Sequence, residues 1–165
     1  MKYLLFAGPG DVGKTTIIGR MARNLRGRGY RVVDEGISTM PEKWGYGMRQ
    51  NPHHDFYVLL EKNGKFIVVY SWGDTQKMIQ WLADYIKELQ KRRIEIFLVI
   101  AATRDASEGL YNFTYNILGL NASNCTEIPM GRMVRGERRR ALGMDWYINS
   151  MTNHVETFVM PEMLK

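Results

Sequence analysis

A short glycine-rich stretch near the start of the sequence carries the residues best placed to do chemistry. Residues 8–16 read GPGDVGKTT, so Gly8, Gly13, Lys14 and Thr15 follow the spacing GxxxxGK[ST]. The run YLLFA precedes them and IIGRMARNL follows, which predicts a strand, a tight loop and a helix. Glycines let backbone N–H groups turn around phosphate oxygens, and the positive end of the new helix points at the same place. The stretch therefore predicts a polyphosphate-binding site.

The residues of this loop divide the expected binding between them. Lys14 is predicted to reach the terminal phosphates, and the Thr15 hydroxyl to coordinate the accompanying Mg²⁺. Thr16 is expected to pack or to cap the helix beside them. Phosphate binding is assigned to the residues of the loop and first helical turn, which are Gly8, Gly10, Asp11, Val12, Gly13, Lys14, Thr15 and Thr16. The alternative is a glycine turn that only joins a strand to a helix.

On these residues the chain resembles the P-loop NTPases, and its size and element order are most similar to the compact nucleoside and nucleotide kinases. The motif residues that carry the resemblance fall within residues 1–35. The resemblance implies a bound nucleoside triphosphate such as ATP, Mg²⁺, and phosphoryl transfer to a small, nucleotide-like acceptor. The alternatives are an NTP-hydrolysing switch that binds a partner protein, and a nucleotide-regulated nucleic-acid-binding protein, which is not favoured.

Acidic residues near strand ends are candidates for work on the metal and the acceptor. Members of that superfamily usually carry an acid at the tip of a second buried strand, but here Ser71 follows KFIVVY and Asp74 comes three positions later. Asp74 is our choice for the catalytic, metal-associated acid, with an N-cap of the next helix as the alternative. The resemblance also implies that Asp34 or Glu35 holds the acceptor or acts as its base; a solvated pair is the alternative.

A block of arginines late in the chain supplies most of the net positive charge. Residues 131–140 read GRMVRGERRR, in a chain of net charge +6. As a kinase lid, Arg132, Arg135 and Arg138–Arg140 would neutralise charge on the transferred group, with Arg135 named as catalytic. A nucleic-acid contact and a solvated helix face are the open alternatives.

Two further places are candidates for ligand contact. Arg104 directly follows a buried strand and is predicted to contact phosphate, unless it pairs with Asp105 or Glu108. Residues 35–54 are rich in Gly, Pro and polar residues, which is typical of a long functional loop. Its aromatic side chains would stack on a base or sugar, or else cover the sheet edge; they are Trp44, Tyr46 and His53.

The elements that must position these residues predict a three-layer α/β domain with a mainly parallel sheet and an antiparallel hairpin. Asn63 and Gly64, between two apolar runs, predict the hairpin turn. The other predicted elements are a helix from Lys14, strand 31–35, a helix from about Asp74, strand 94–102, a helix over 107–118 ended by Gly119, a helix over 136–151 and a closing strand over 155–160. The resemblance to P-loop NTPases implies the same three-layer P-loop NTPase fold.

Composition sets the broad class of protein. The chain has 165 residues, 45% of them apolar and 24% charged, which predicts one domain over residues 1–165. Cys125 is the single cysteine, so no intrachain disulfide is possible and a reducing, cytoplasmic setting is expected. The first apolar run is too short for a signal peptide or a membrane span, so no membrane association is expected.

Overall fold

The computed structural model describes residues 1–10, 12–37, 55–131 and 137–165, with the backbone alone for residues 37 and 137–143. Its strands and helices follow in the order β1 (Lys2–Ala7), α1 (Lys14–Gly27), β2 (Arg31–Ile37), β3 (Phe56–Lys62), β4 (Lys65–Tyr70), α2 (Gln76–Lys91), β5 (Ile96–Thr103), α3 (Gly109–Leu118), β6 (Cys125–Pro129) and α4 (Glu137–His154). A π-helical turn (Val155–Val159) and a short helix α5 (Met160–Met163) follow α4. None of the described helices combines the length and the apolar character that crossing a membrane requires.

Six strands form one sheet in the described part of the chain, in the order β2-β3-β4-β5-β1-β6. β1 pairs in parallel with β5 and with β6, and β5 pairs in parallel with β4. β3 is antiparallel to both of its neighbours, β2 and β4. The sheet is therefore mixed and mostly parallel, with its antiparallel part at one side, as the sequence predicted.

The turn between β3 and β4 is the two-residue hairpin predicted from the Asn–Gly pair. Asn63 and Gly64 have φ values of 54° and 77°, left-handed conformations that Asn and Gly adopt more readily than other residues. Lys62 consequently pairs with Lys65, and the pairing continues away from the turn. Because β3 runs against the parallel strands, it begins at the edge of the sheet where they end.

Helices cover both faces of the sheet, each face over its own core. α1 and α4 pack on one face, where Ile17 and Ile148 are buried with side chains of the sheet. α2 and α3 pack on the other face, around Tyr70, Leu82 and Leu118. β4 and β5 are apolar along most of their length because alternate side chains of a central strand enter both cores. This arrangement agrees with the predicted three layers.

The segment VETFVM, residues 155–160, is helical, and the prediction that it closes the sheet as a strand is wrong. Its first five residues form a π-helical turn in which the N–H of Met160 donates to the carbonyl of Val155. Both side chains are buried in the core shared with α1. The β-branched residues of this segment favour a strand. In the π-helical turn, however, Val155 and Met160 are five residues apart and both side chains enter the same core.

The strand beside β1 at the sheet edge is β6, which the sequence pattern does not reveal. β6 reads CTEIP and pairs with β1 from Tyr3 to Ala7. Ile128 is its one buried residue, and an edge strand this short has too little apolar alternation to be recognised. The predicted helix ending at Gly119 is confirmed as α3, and the one predicted over 136–151 is confirmed as α4.

Candidate functional site

A cleft of about 490 Å³ lies at the edge of the sheet where the parallel strands end. Its walls come from the start of α1, from the ends of β3 and β4, and from one face of α4. The lining residues are Val12, Gly13, Lys14, Thr15, Thr16, Arg20, Asp55, Ser71, Asp74, Met144, Asp145 and Ile148. The sheet order explains the convergence, since only β5 separates β1 from β4, and β3 begins beside the end of β4.

Lys14, the first residue of α1, is a buried cation that faces this cleft. Its amine donates to the carbonyl oxygens of Gly8 and Pro9 at 2.7 and 2.6 Å. Within the described residues no carboxylate lies within ion-pair distance of it. Burial lowers the pKa of the Lys14 amine, and the charge of Asp74 opposes that shift. The free N–H groups at the N-terminus of α1 add positive potential, and no acidic residue in its first turn offsets it.

Two glycines of the loop, Gly8 and Gly13, are closely approached by neighbouring parts of the chain. A methyl group on Gly8 would lie 2.4 Å from the carbonyl oxygen of Met130, which follows β6. Gly13 has a φ of 86°, and a methyl group there would lie 2.8 Å from Cδ1 of Ile148 on α4. A side chain at either position would displace the loop or its neighbour, so both ends of the motif require glycine.

A hydroxyl and a carboxylate lie together next to the loop. The hydroxyl of Thr15 donates to Oδ1 of Asp55 at 2.7 Å. Ser71, directly after β4, donates to the same oxygen at 3.2 Å, and its hydroxyl accepts from the N–H of Phe56 at 2.8 Å. Asp55 is therefore the acid that contacts the predicted metal-binding threonine, the place for which the sequence suggested Asp74.

Sequence reasoning misses Asp55 because the residue precedes an antiparallel strand instead of following a parallel one. The residue pairing of the β3–β4 hairpin nevertheless indicates where Asp55 lies. Once Lys62 pairs with Lys65, counting back along both arms places Phe56 next to Ser71 and Asp55 at the same edge. An acid at the start of the antiparallel arm thus occupies the region where an acid at the tip of β4 was expected.

The surroundings of Asp55 disfavour the ionised form of its carboxyl group. Burial is the largest influence and raises the pKa of Asp55 above its ordinary value, and the charge of Asp74 raises it further. The hydrogen bonds from Thr15 and Ser71 act in the opposite direction. A cation bound beside these two carboxylates would relieve their repulsion and favour the ionised form.

Asp74 lines the cleft and is paired with an arginine. Its Oδ1 lies 3.1 Å from Nη2 of Arg104, and Glu108 approaches the same guanidinium at 3.9 Å. The N-cap of α2 is Thr75, whose hydroxyl accepts from the N–H of Met78 at 3.3 Å. The alternative prediction that Asp74 caps this helix is therefore wrong.

Arg104 lies directly against the glycine loop. A methyl group on Gly10 would come within 2.7 Å of Arg104 Nη1, so the guanidinium occupies the space beside that residue. The predicted ion pair with Glu108 is present, whereas Asp105 accepts hydrogen bonds within its own turn. The two carboxylates of Asp74 and Glu108 hold Arg104 where an anion on the loop would meet it.

Asp34 and Glu35 lie on the edge strand β2 and do not line the described cleft. The phenol groups of Tyr57 and Tyr85 donate to the Asp34 carboxylate at 3.2 and 2.8 Å. Burial first, and the Asp34 carboxylate second, raise the pKa of both phenols. The Oε2 atom of Glu35 is buried and has no hydrogen-bond partner among the described residues. The structure therefore does not bring this pair to the loop.

Several predicted site residues lie outside the described part of the chain. They are Asp11 of the glycine loop, Arg132 and Arg135, and the loop aromatics Trp44, Tyr46 and His53. Residues 138–140 belong to α4, but the side chains of Arg138, Arg139 and Arg140 are also outside what is described. Their roles stay predictions.

The donor atoms of the cleft are oxygens, the ligands of hard cations such as Mg²⁺ and Ca²⁺. Within the described residues no group of three or more His, Cys, Asp or Glu side chains is arranged to hold a metal. Thr15, Asp55 and Asp74 offer oxygen atoms only, and oxygen is the donor that Mg²⁺ prefers. Because Mg²⁺ keeps water and takes phosphate oxygens as further ligands, this set fits a Mg²⁺ ion that arrives with a polyphosphate.

The cleft has to be interpreted from its own chemistry. Comparisons with family models, curated proteins and solved structures produced no match to this chain. Three features distinguish the site: a buried lysine at a helix N-terminus, a hydroxyl–carboxylate pair beside it, and a guanidinium against the loop.

Proposed function

We propose that the cleft binds the triphosphate of a nucleoside triphosphate together with Mg²⁺, and that the protein transfers the terminal phosphoryl group to a small acceptor. The observation that carries this proposal is Lys14, whose buried amine contacts two loop carbonyls and no carboxylate of the described residues. ATP is the donor and a nucleotide-like molecule the acceptor that the resemblance to P-loop NTPases implies.

The loop side of the cleft supports polyphosphate binding. A buried ammonium group is costly unless it is well compensated, and two neutral carbonyls compensate it only in part. An oxyanion on the loop would pair with Lys14 and accept hydrogen bonds from the N–H groups of the first turn of α1. A ligand with several negative charges gains from both features at once.

The strand side of the cleft supports a bound Mg²⁺ ion. Thr15 and Asp55 would hold the ion or its water molecules, with Ser71 keeping the Asp55 carboxylate in place. Mg²⁺ supplies charge neutralisation between the two terminal phosphates. Burial raises the pKa of Asp55 most, and repulsion by Asp74 raises it further. A divalent cation would remove that repulsion.

Phosphoryl transfer asks the protein for positioning and electrostatic stabilisation. The acceptor oxygen forms a bond to the terminal phosphorus, and the bond from that phosphorus to the bridging oxygen of the leaving nucleoside diphosphate breaks. A proton on the acceptor oxygen passes to water, and negative charge spreads over the surrounding oxygens. Lys14 and Arg104, which lie beside the loop, would stabilise this charge. As a lid, the arginines of residues 132–140 would close over the phosphates.

The nucleotide-binding half of the proposal is tested by titration calorimetry with Mg·ATP. We expect binding in the wild-type protein, binding weakened when Mg²⁺ is withheld, and none detectable in Lys14→Ala. Lys14→Met, which keeps an apolar stem in the buried position, guards against loss of fold. Lys87→Ala is the matched control, since Lys87 is an exposed lysine on α2. Wild-type affinity in Lys14→Met would contradict the proposal.

The transfer half is tested by incubating the protein with γ-labelled ATP and a panel of nucleosides, nucleotides and related hydroxyl compounds. Label should appear in one acceptor class and should be absent with Lys14→Met. Hydrolysis of ATP at the same rate with and without every acceptor would count against a phosphotransferase.

One contact favours a second candidate, an NTP-hydrolysing switch. Ile148 of α4 lies so close to Gly13 that a change in the loop on nucleotide binding would be transmitted to α4. The same helix carries Trp146, whose side chain is 65% exposed. A partner that binds with equal affinity in the ATP-bound and nucleotide-free states would remove this candidate.

A further inference from the structure

Asp145 is a carboxylate in the cleft for which the described structure provides no partner. Asp55 accepts from Thr15, and Asp74 pairs with Arg104. Asp145 also lines the cleft, from α4, but it forms neither an ion pair nor a hydrogen bond within the described residues. It is an exposed side chain on the cleft wall, so it is available to a ligand that enters the cleft.

A carboxylate does not suit the phosphate end of such a ligand. An ionised carboxylate is a hydrogen-bond acceptor only, and it repels phosphate oxygens in a partly closed site. Asp55 and Asp74 lie next to the place where a cation would sit, on the side of Thr15 and Arg104. Asp145 lies on a different wall of the cleft, that of α4, and is suited to a neutral part of the ligand that donates hydrogen bonds.

The position of Asp145 along α4 indicates which part of the ligand this is. Ile148 contacts the loop at Gly13, and Asp145 precedes it by three residues, about one helical turn and about 4.5 Å along the axis. Met144 and Ile148 add apolar surface to the same wall. Arg20, in the middle of α1, donates to Asn149 of α4 and so links the two helices.

The next group along a nucleoside triphosphate after its phosphates is the ribose, whose 2′ and 3′ hydroxyls are hydrogen-bond donors. We infer that Asp145 accepts hydrogen bonds from these ribose hydroxyls, and so selects ribonucleotides over nucleotides that lack them. This inference rests on the proposed binding of a nucleoside triphosphate. Asp145 is then a specificity-determining residue and is not part of the transfer chemistry.

Three ligands separate the contribution of the sugar from that of the phosphates: Mg·ATP, Mg·2′,3′-dideoxy-ATP and Mg·tripolyphosphate. In the wild-type protein, calorimetry should give an affinity for ATP about tenfold higher than for the dideoxy analogue. Asp145→Ala should lower the ATP affinity to that of the analogue, because the hydrogen bonds are lost. Its affinity for tripolyphosphate should be unchanged or higher. Asp84→Ala, which removes an exposed carboxylate of α2, is the control and should alter none of these.

The inference is overturned if the wild-type protein binds ATP and the dideoxy analogue equally, or if Asp145→Ala weakens both by the same factor. Either result leaves the proposed function in place, since both nucleotides still bind. A wild-type protein that binds neither ATP nor tripolyphosphate would instead remove the proposed function itself. Circular dichroism of each variant confirms that the exposed substitution at Asp145 has not unfolded α4.

Discussion

At the scale of single residues, Asp55 is the residue whose role depends most on its surroundings. It accepts hydrogen bonds from Thr15 and Ser71, and its burial raises its pKa. An acid whose pKa is higher in the folded than in the unfolded protein binds its proton more readily when folded. At neutral pH the ionised form of Asp55 therefore lowers stability, a cost that is understandable if the carboxylate serves a cation.

Asp55→Asn is expected to separate stability from function. Asparagine can still accept from Thr15, but it has no charge to bury. We expect an unchanged or greater free energy of unfolding at neutral pH, and affinity for Mg·ATP lowered about 10- to 100-fold. The stability advantage should shrink as the pH falls through the raised pKa of Asp55 toward about pH 4, because wild-type Asp55 is then protonated.

Urea denaturation across this pH range, with calorimetry of Mg·ATP at neutral pH, measures both effects. Asp84→Asn removes a charge from an exposed carboxylate and should leave both quantities unchanged. A stability advantage that grows as the pH falls would show that burial of the Asp55 charge has been misjudged. Unaltered Mg·ATP affinity would remove Asp55 from the proposed metal site.

At the scale of elements, the start of α2 has two adjacent polar residues with different contacts: Thr75 caps the helix, and Asp74 lines the cleft. Thr75 supplies the N-cap, and the adjacent Asp74 can turn toward Arg104. The Asp74 side chain is 46% exposed in this pair, and surface ion pairs contribute little to stability. Stability and site chemistry are therefore divided between two consecutive residues.

Thr75→Ala should lower the free energy of unfolding by about 1 kcal/mol, the usual cost of losing an N-cap. Asp74→Asn should cost less than this, and should instead weaken the binding of Mg·ATP. Chemical denaturation of the two variants checks the order of the effects. If Asp74→Asn were the more destabilising, the cap would have been assigned to the wrong residue.

At the scale of the whole molecule, the cleft joins parts of the chain that are distant in sequence. The loop after β1, the start of β3, the segment after β4 and the face of α4 all contribute to it. A ligand that contacts all of them binds the folded state and not the unfolded chain. Binding should therefore stabilise the fold as a whole.

Mg·ATP at about 100 times its dissociation constant should raise the melting temperature by about 5–10 °C. The shift follows from selective binding to the folded state, which at this concentration adds about 2.7 kcal/mol. Differential scanning fluorimetry with and without Mg²⁺ measures it, and Lys14→Met should show no shift. An equal shift in Lys14→Met would place the ligand elsewhere on this positively charged protein.

The amino-acid sequence could predict the features that depend on residues close together along the chain. The strand, loop and helix around Lys14 follow from a contiguous motif, and Asn63 with Gly64 specifies the hairpin because few other pairs adopt two positive φ values. The central strands were recognisable because both of their faces are buried, which produces continuous apolar runs. The left-handed conformation of Gly13 and the start of α1 at Lys14 also depend on residues that are close together in the sequence.

Only the tertiary structure decided which distant side chains share the cleft. Asp55 reaches Thr15 because β3 is antiparallel, and Asp145 enters because α4 packs against Gly13. Asp34 is directed to Tyr57 and Tyr85, and residues 155–160 are drawn into a helix by the core. The physical reason is that strand neighbours, sheet faces and helix docking are set by burial across the whole chain, and a local pattern does not contain that information.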